Sequence, residues 1–479
     1  MSNLLASILS SAGTLEAYGR VLETAQNNVA NASTPGYAKQ RLDLQALAFD
    51  PANGATGGVR AGDLVSSRNE FAEASVRKQT SASGYQDQLV NSLTDIEANF
   101  DISGNSGIPQ ALNKLYASFS AWATTPDNQS VSQTVIDAAS QLAATFQQSY
   151  NNLADEATTT EQQIRQTVDA VNKIVAQLQN FNQIALQGNG NDSGLSASMH
   201  AALDQLSQYV DFNAAFQSDG TVSITINGQT PLLVEDKQYK ISTDLYQPQD
   251  PPPTYPSAPA SARVLAYDGS DITAATTGGQ LGALLEVRNQ VLPSYIGDSY
   301  QPGDINRLAK QIASRVNELL TNGQVSAGPP PVPGVALFAY DTTNDAAVAQ
   351  TLTVDATVTT DQLAAIDPGP PTISNGVPLA LSQLATPVAG ADKIDGISYS
   401  QFYGQMAGNV GGRLSDAQNS QQVQQSLLSQ AKDLRGQYSG VSLDEEATIL
   451  IQFQRAYQAN SRFITILDQL TQEAIDLIK

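Results

Sequence analysis

NNVANASTPGYAKQR, residues Asn27 to Arg41, closes a heptad-patterned stretch at the beginning of the chain and turns it into something else. Upstream, Ile8, Leu15, Leu22 and Val29 recur every seven residues. Leu4, Tyr18 and Ala25 hold the companion positions, with Ser11 the polar exception. Such a seam buries one narrow stripe against a partner helix. The stripe stops at Asn31, and Ser33-Thr34-Pro35-Gly36 follows. Pro35 lacks a backbone donor and turns Thr34 away from helical angles. Gly36 is free to take positive φ. The helix therefore ends there, and Tyr37 to Leu44 alternates weakly, as an extended segment does.

The other end of the chain repeats the theme. Leu443, Leu450, Tyr457, Ile464, Thr471 and Ile478 keep a seven-residue spacing. Phe453, Asn460, Leu467 and Ala474 sit at the next seam position. Ile449, Ala456, Phe463, Leu470 and Leu477 widen the stripe. A helix over this span would be roughly 50 Å long. Ser442 is its expected N-cap, with Glu445 three residues on as a capping box requires. Asp444, Glu445 and Glu446 are read as first-turn acids favoured by the helix dipole, rather than as a metal or acid–base cluster.

Both ends carry a family resemblance. NNVANASTPGY resembles the N-terminal signature of bacterial flagellar axial proteins, the rod, hook and first hook-filament junction proteins. GVSLDEEATILIQFQRAYQANSRFITILDQL resembles the C-terminal signature of the hook-associated protein 1 family through Gly440-Val441, Leu443 to Glu446, Gln454, Tyr457 and Ala459. The middle is similar more loosely: Asp204 to Phe212 before the Thr221 to Ile226 segment, and Gly278-Gly279-Gln280-Leu281 leading into Leu284 and Arg288. The segment from Phe338 to Pro378 departs most.

Composition bounds the alternatives. A chain of 479 residues sets a prior of about three domains. No apolar run is long enough to span a bilayer. No Lys or Arg precedes Arg20, so a charged signal-peptide region is not expected. Cysteine is absent, which excludes disulfides, thiolate metal sites and a Cys nucleophile. It also suits a chain exported unfolded through a narrow channel. The lone histidine, His200, accompanies no GxSxG string and is expected on a surface or lightly packed helix. A net charge of -22 argues against nucleic acid and against an anionic membrane surface. The glycines from Gly104 to Gly107 and Gly188 to Gly194 are scattered and no phosphate loop. No cofactor or metal site is expected.

Along the chain, Leu64 to Phe100 reads as a long helix with Phe71, Val76, Leu89, Leu93 and Ile96 on its apolar side. Pro109 to Trp122 and Ser130 to Gln187 read as two more, the second rod-like. Thr221 to Ile226 alternates, Asn227-Gly228 signals a hairpin, and Leu232 to Val234 returns. Tyr239 to Ile241 and Arg263 to Tyr267 read as strands around a proline-rich loop, Pro248 to Pro259. Helices resume over Leu281 to Val291 and Ile305 to Leu320. After a GPPPVPG linker, Val335 to Val377 reads as β-rich, notably Thr351 to Val358. Tyr399 to Gln437 is a long polar helix.

The expected fold is α+β multidomain. Residues 1–50 with 440–479 form a terminal coiled-coil domain. Residues 60–200 with 279–325 and 396–439 form a long-helix bundle in the middle. Residues 210–275 and 335–390 are β-rich outer insertions. The resemblance implies a structural, non-enzymatic protein of the flagellum, forming a homo-oligomeric ring at the distal end of the hook. Both terminal helices would line the inner tube, and the β segments would face outward. Its implied partners are the hook protein, the second junction protein and a cytoplasmic export chaperone on the C-terminal helix. Its implied location is extracellular, reached without a cleaved signal peptide. The expected interface is Ile8, Leu15, Leu22, Val29, Leu450, Phe453, Tyr457, Ile464 and Leu467, with Asn27, Asn28, Pro35, Gly36 and Tyr37 as the signature turn. The alternatives are a hook or distal rod protein, and an acidic secreted hydrolase. Rod proteins are about half as long, and in hook proteins β content starts early. Here more than 100 residues of helix are expected before a first clear strand.

Overall fold

The computed structural model describes residues 2–50, 55–101, 105–190 and 192–476. In chain order the elements are α1 (Ser2–Ala30), β1 (Gln40–Ala46), β2 (Phe49–Asp50), β3 (Ala55–Thr56), β4 (Val59–Ser66), α2 (Glu70–Glu97), α3 (Gly107–Thr124), α4 (Gln129–Ile184) and α5 (Ser193–Tyr209). Then come β5 (Asn213–Phe216), β6 (Val222–Ile226), β7 (Thr230–Val234), β8 (Lys237–Gln238), β9 (Ser242–Tyr246), β10 (Ser261–Leu265), α6 (Gly279–Glu286), α7 (Leu292–Ile296) and α8 (Asp304–Asn322). The last are β11 (Gln324–Ser326), β12 (Val332–Pro333), β13 (Phe338–Ala339), α9 (Val348–Thr351), β14 (Thr353–Val354), α10 (Gly376–Gln383), α11 (Tyr399–Ser439) and α12 (Leu443–Asp476). The fold is α+β and multidomain, helical at both ends with small sheets between.

The chain divides into two compact units. The first holds Met1–Ser83, Lys173–Tyr239 and Gln424–Lys479. Here β1 and β4 pair antiparallel and lie, with α12, against α1. A second sheet runs β5-β6-β7-β8, all antiparallel. Its hairpin turns at Asn227 and Gly228, both at positive φ, as a tight two-residue turn demands. Val222, Ile224, Ile226, Leu232 and Leu233 are buried. Asn182 of α4, wholly buried, accepts from the Val222 amide (2.9 Å) and donates to its carbonyl (2.8 Å). This side chain takes the place of a neighbouring strand and ties α4 to β6.

The second unit holds Gly84–Asn172 and Lys240–Val423. Its core joins Leu93 and Ile96 of α2, Leu112, Phe119 and Trp122 of α3, and Leu142 and Phe146 of α4. Ile312 and Val316 of α8 and Phe402 and Met406 of α11 complete it. The apolar residues of each helix recur every three or four positions, so one face of each is buried. The polar Asn306 of α8 donates to Ile296 and Ala346 carbonyls (both 3.0 Å) and accepts from the Ala349 amide (2.8 Å).

Several expectations are corrected. The helix expected from Leu64 begins at Glu70, because Val59–Ser66 is a strand held by hydrogen bonds to β1. Strands therefore occur well before 100 residues of helix have passed. Phe71 is 90% exposed, since Ala72, Glu73 and Val76 occupy the inward face of that turn. Tyr239 to Ile241 is not a strand but joins β8 to β9. In 335–390 the strands shrink to Phe338–Ala339 and Thr353–Val354. Leu337, Val348, Leu352, Leu363 and Leu381 from that segment fill the helical core instead. His200 is buried, not superficial: its ring stacks on Phe216 at 4.7 Å and 9°. Leu477 and Ile478 lie outside the described residues, as do Gly104 and Asn191.

Candidate functional site at the joint of the two chain ends

The two terminal helices meet antiparallel in the first unit. Tyr18 and Phe453 pack edge to face with centroids 5.5 Å apart. One heptad away on each helix, the Asn460 side chain donates to the Ser11 carbonyl (2.8 Å). The other way, at the base of the pair, Asn28 donates to Glu446 Oε2 (3.2 Å).

Asn28 is the hub of that base. It is 1% exposed. Its amide nitrogen also donates to the Gln40 carbonyl (2.8 Å). Its oxygen accepts from the Gln40 amide and the Tyr37 hydroxyl, both at 2.9 Å. Two donors and two acceptor sites are all that an Asn side chain has, and all are used. Lys39 reaches Glu445 (2.8 Å) and Glu446 (3.3 Å). Burial alone would lower the Lys39 ammonium pKa, but these two carboxylates hold it above its ordinary value. Burial, with Glu446 nearby, raises the Tyr37 hydroxyl pKa. The backbone is tied in as well: the Lys39 amide donates to Ser439 at the end of α11 (2.9 Å).

Gly36 makes the turn possible. Its φ is +74°, and a Cβ there would lie 2.2 Å from the Ala197 carbonyl oxygen of α5. Only glycine lets the turn approach that helix. Arg68 holds the Gly36 carbonyl (2.6 Å) and pairs with Glu73 (2.7 Å). Glu73 in turn meets Arg435 (3.2 Å), which also binds Asp204 (2.6 Å). A charge network therefore braces the turn from α2, α5 and α11. Beside these cations His200 stays neutral: burial first, then Arg68, Arg77 and Arg435, push its pKa down to about 2.

The buried stripe of α1 is Ser11, Thr14, Ala17, Val21, Ala25 and Asn28. It is displaced round the helix from Ile8, Leu15 and Leu22, which are half-buried, and from exposed Val29. The cause is a second neighbour: Thr14 accepts from the Val59 amide (3.1 Å) of β4, so α1 faces the hairpin as well as α12. On α12, Leu467 is buried, Leu450, Phe453 and Ile464 are half-buried, and Tyr457 is exposed. Of the expected turn, Asn28, Gly36 and Tyr37 converge. Asn27 and Pro35 are exposed, Asn27 accepting from Asn31 (2.6 Å). Sequence reasoning missed Lys39, Gln40, Arg68, Glu73 and Arg435; it placed Glu446 in the first turn of α12, where the structure has it, but not its burial. Glu446 is 1% exposed. Its heptad phase with Phe453, Asn460 and Leu467 was the available signal.

The joint has the chemistry of a fastening. Its cleft of about 380 Å³ is lined by Val21, Ala25, Leu42, Ile449 and Phe453 beside the Asn28–Glu446 pair. Among the described residues no group of three His, Asp or Glu could hold a metal, and no helix is long and apolar enough to cross a membrane.

Known proteins resemble this chain along most of its length. The model of the flagellar hook-associated protein FlgK helical domain matches residues 93–338, just over half of the chain. That of the flagellar basal body rod FlgEFG protein C-terminal matches residues 436–477, the end of α11 and α12. Flagellar hook-associated protein 1 of Bacillus subtilis (strain 168) is 26% identical over 96% of each chain. The solved flagellar hook junction protein FlgK from Burkholderia pseudomallei shares the fold at a TM-score of 0.62 and 15% identity, over 77% of this chain and 100% of its own. The chain belongs to the flagellar hook-associated protein FlgK family and is a structural protein, not an enzyme.

Proposed function

We propose that this flagellar hook-filament junction protein works as a closed ring of identical subunits, seated on the hook protein and followed by the second junction protein. The observation that carries the reading is the apolar surface that the helix pair leaves uncovered. Leu5 and Leu9 on α1, and Ile451, Phe463, Ile466 and Leu470 on α12, are each about half or more exposed. A pair already joined along one seam has no use for these side chains within its own chain. Lateral packing of such pairs buries them, and a head-to-tail contact that closes on itself makes a ring. In that arrangement residues 1–50 and 440–479 line the inner tube, and Ile8, Leu15, Leu22, Leu450 and Ile464 flank the subunit contacts.

The same apolar surface calls for cover before assembly, which is the role proposed for a cytoplasmic chaperone on α12. Export through a narrow channel without a cleaved signal peptide, to the extracellular flagellum, accords with a chain that has no cysteine to cross-link. Immunogold electron microscopy of isolated hook–filament assemblies tests the ring. Label in one narrow band at the distal end of the hook is expected. Label along the hook shaft, or within the rod, would overturn the proposal.

A further inference from the structure

We propose that Asn28 and Glu446 are positioning residues that set the register in which the two terminal helices pair.

Two separate contacts along the pair share one offset. Ser11 meets Asn460 and Tyr18 meets Phe453, so each step of seven forward on α1 is a step of seven back on α12. The next step sets Ala25 opposite Glu446, and a small side chain there leaves room for the long buried carboxylate. The step before sets half-buried Leu4 opposite buried Leu467. The other three layers match: Asn460 meets the Ser11 backbone carbonyl, aromatic meets aromatic and aliphatic meets aliphatic.

Most of this seam does not discriminate between offsets. Ala, Leu and Ile side chains pack acceptably one turn either way, and such a slide is only about 5 Å. The base is less forgiving. A slide of one turn carries Glu446 away from Asn28 and from Lys39 together. The buried carboxylate would then lack both partners, and the buried Asn28 amide one of its four hydrogen bonds, a penalty that apolar layers do not impose. A single buried polar layer in an apolar seam is a known means of fixing register.

Disulfide trapping tests this in the full-length chain, which has no cysteine of its own. Ser11→Cys is combined in turn with Asn460→Cys, Ala456→Cys and Ile464→Cys, and intrachain cross-linking is measured after mild oxidation. With the base intact, the 11–460 pair should dominate. Glu446→Leu, of similar bulk but apolar, should leave helix content unchanged and lower the melting temperature only modestly, since Asn28 keeps three of its hydrogen bonds and Lys39 keeps Glu445, while shifting the ratio toward the flanking pairs by about tenfold. Asn28→Ala should shift it in the same direction. Glu446→Gln, which can still accept from Asn28, should keep the native ratio. An unchanged ratio in Glu446→Leu would overturn the proposal. So would loss of cross-linking at all three positions, because the pair would then need Glu446 to form at all rather than to align.

Discussion

Replacing Gly36 by Ala tests the geometry of the signature turn. The new Cβ would stand 2.2 Å from the Ala197 carbonyl oxygen and 2.8 Å from the Ala201 amide nitrogen. Both are backbone atoms of α5, so no side-chain rotation relieves the contact. The left-handed backbone at φ +74° adds to this, costing a residue with a Cβ about 1–2 kcal/mol. Overpacking contributes a further 1–3 kcal/mol or so, for a total of about 3 kcal/mol. Since each 1.4 kcal/mol or so is a factor of ten, local opening should become about 100-fold more frequent. Hydrogen exchange followed by mass spectrometry, on peptides covering 37–44 and 193–209, reads this directly. Gly13→Ala is the control. Gly13 lies within α1 with nothing inside 4 Å of its would-be Cβ, and Ala there should stabilise the helix by up to about 1 kcal/mol. Acceleration below about fivefold in Gly36→Ala, or equal behaviour of the two variants, would refute the reasoning.

Three further outcomes are expected. Asn182→Ala removes both hydrogen bonds to Val222 and leaves two buried backbone groups unpaired; exchange at β6 should quicken as stability falls by about 2–4 kcal/mol. His200 has a folded pKa near 2, against about 6.5 unfolded, so the unfolded chain takes up the proton first. Its contribution is therefore complete above pH 6.5 and is lost as pH falls toward 2, by about 2 kcal/mol at pH 5. Thermal unfolding at pH 5 and 7 should show a smaller difference in His200→Asn than in the parent. Leu22→Asp and Leu450→Asp should each block incorporation into flagella in a complementation assay, while near-ultraviolet dichroism from the Trp122 environment stays native.

The chain ends were legible because helices advertise their faces and caps. Ser442 and Glu445 announced the start of α12, and the Glu445 amide does meet the Ser442 hydroxyl (3.4 Å). Asn227-Gly228 announced its turn for the same reason: positive φ at both positions restricts the residue choice. What escaped was information held between distant segments. Val59–Ser66 has no inward alternation of its own and becomes a strand only against β1. Leu337, Val348 and Leu381 looked like parts of a β insertion because β-branched residues and prolines surround them, whereas partners on α8 and α3 claim them for a helical core. His200 carried no local sign that Phe216 would cover its ring. At the joint, periodicity located Phe453 and Leu467 but not Lys39 or Glu446. A seven-residue repeat reports apolar positions, and the joint is held by polar groups at its end.

The most direct test of the central claim is deletion of the gene for this chain, with flagella viewed by electron microscopy and flagellin assayed in the medium. A structural subunit of the hook-filament junction predicts completed hooks, no filaments and flagellin shed outside. Missing hooks would assign the chain to the rod or hook, and normal flagella would contradict the account altogether.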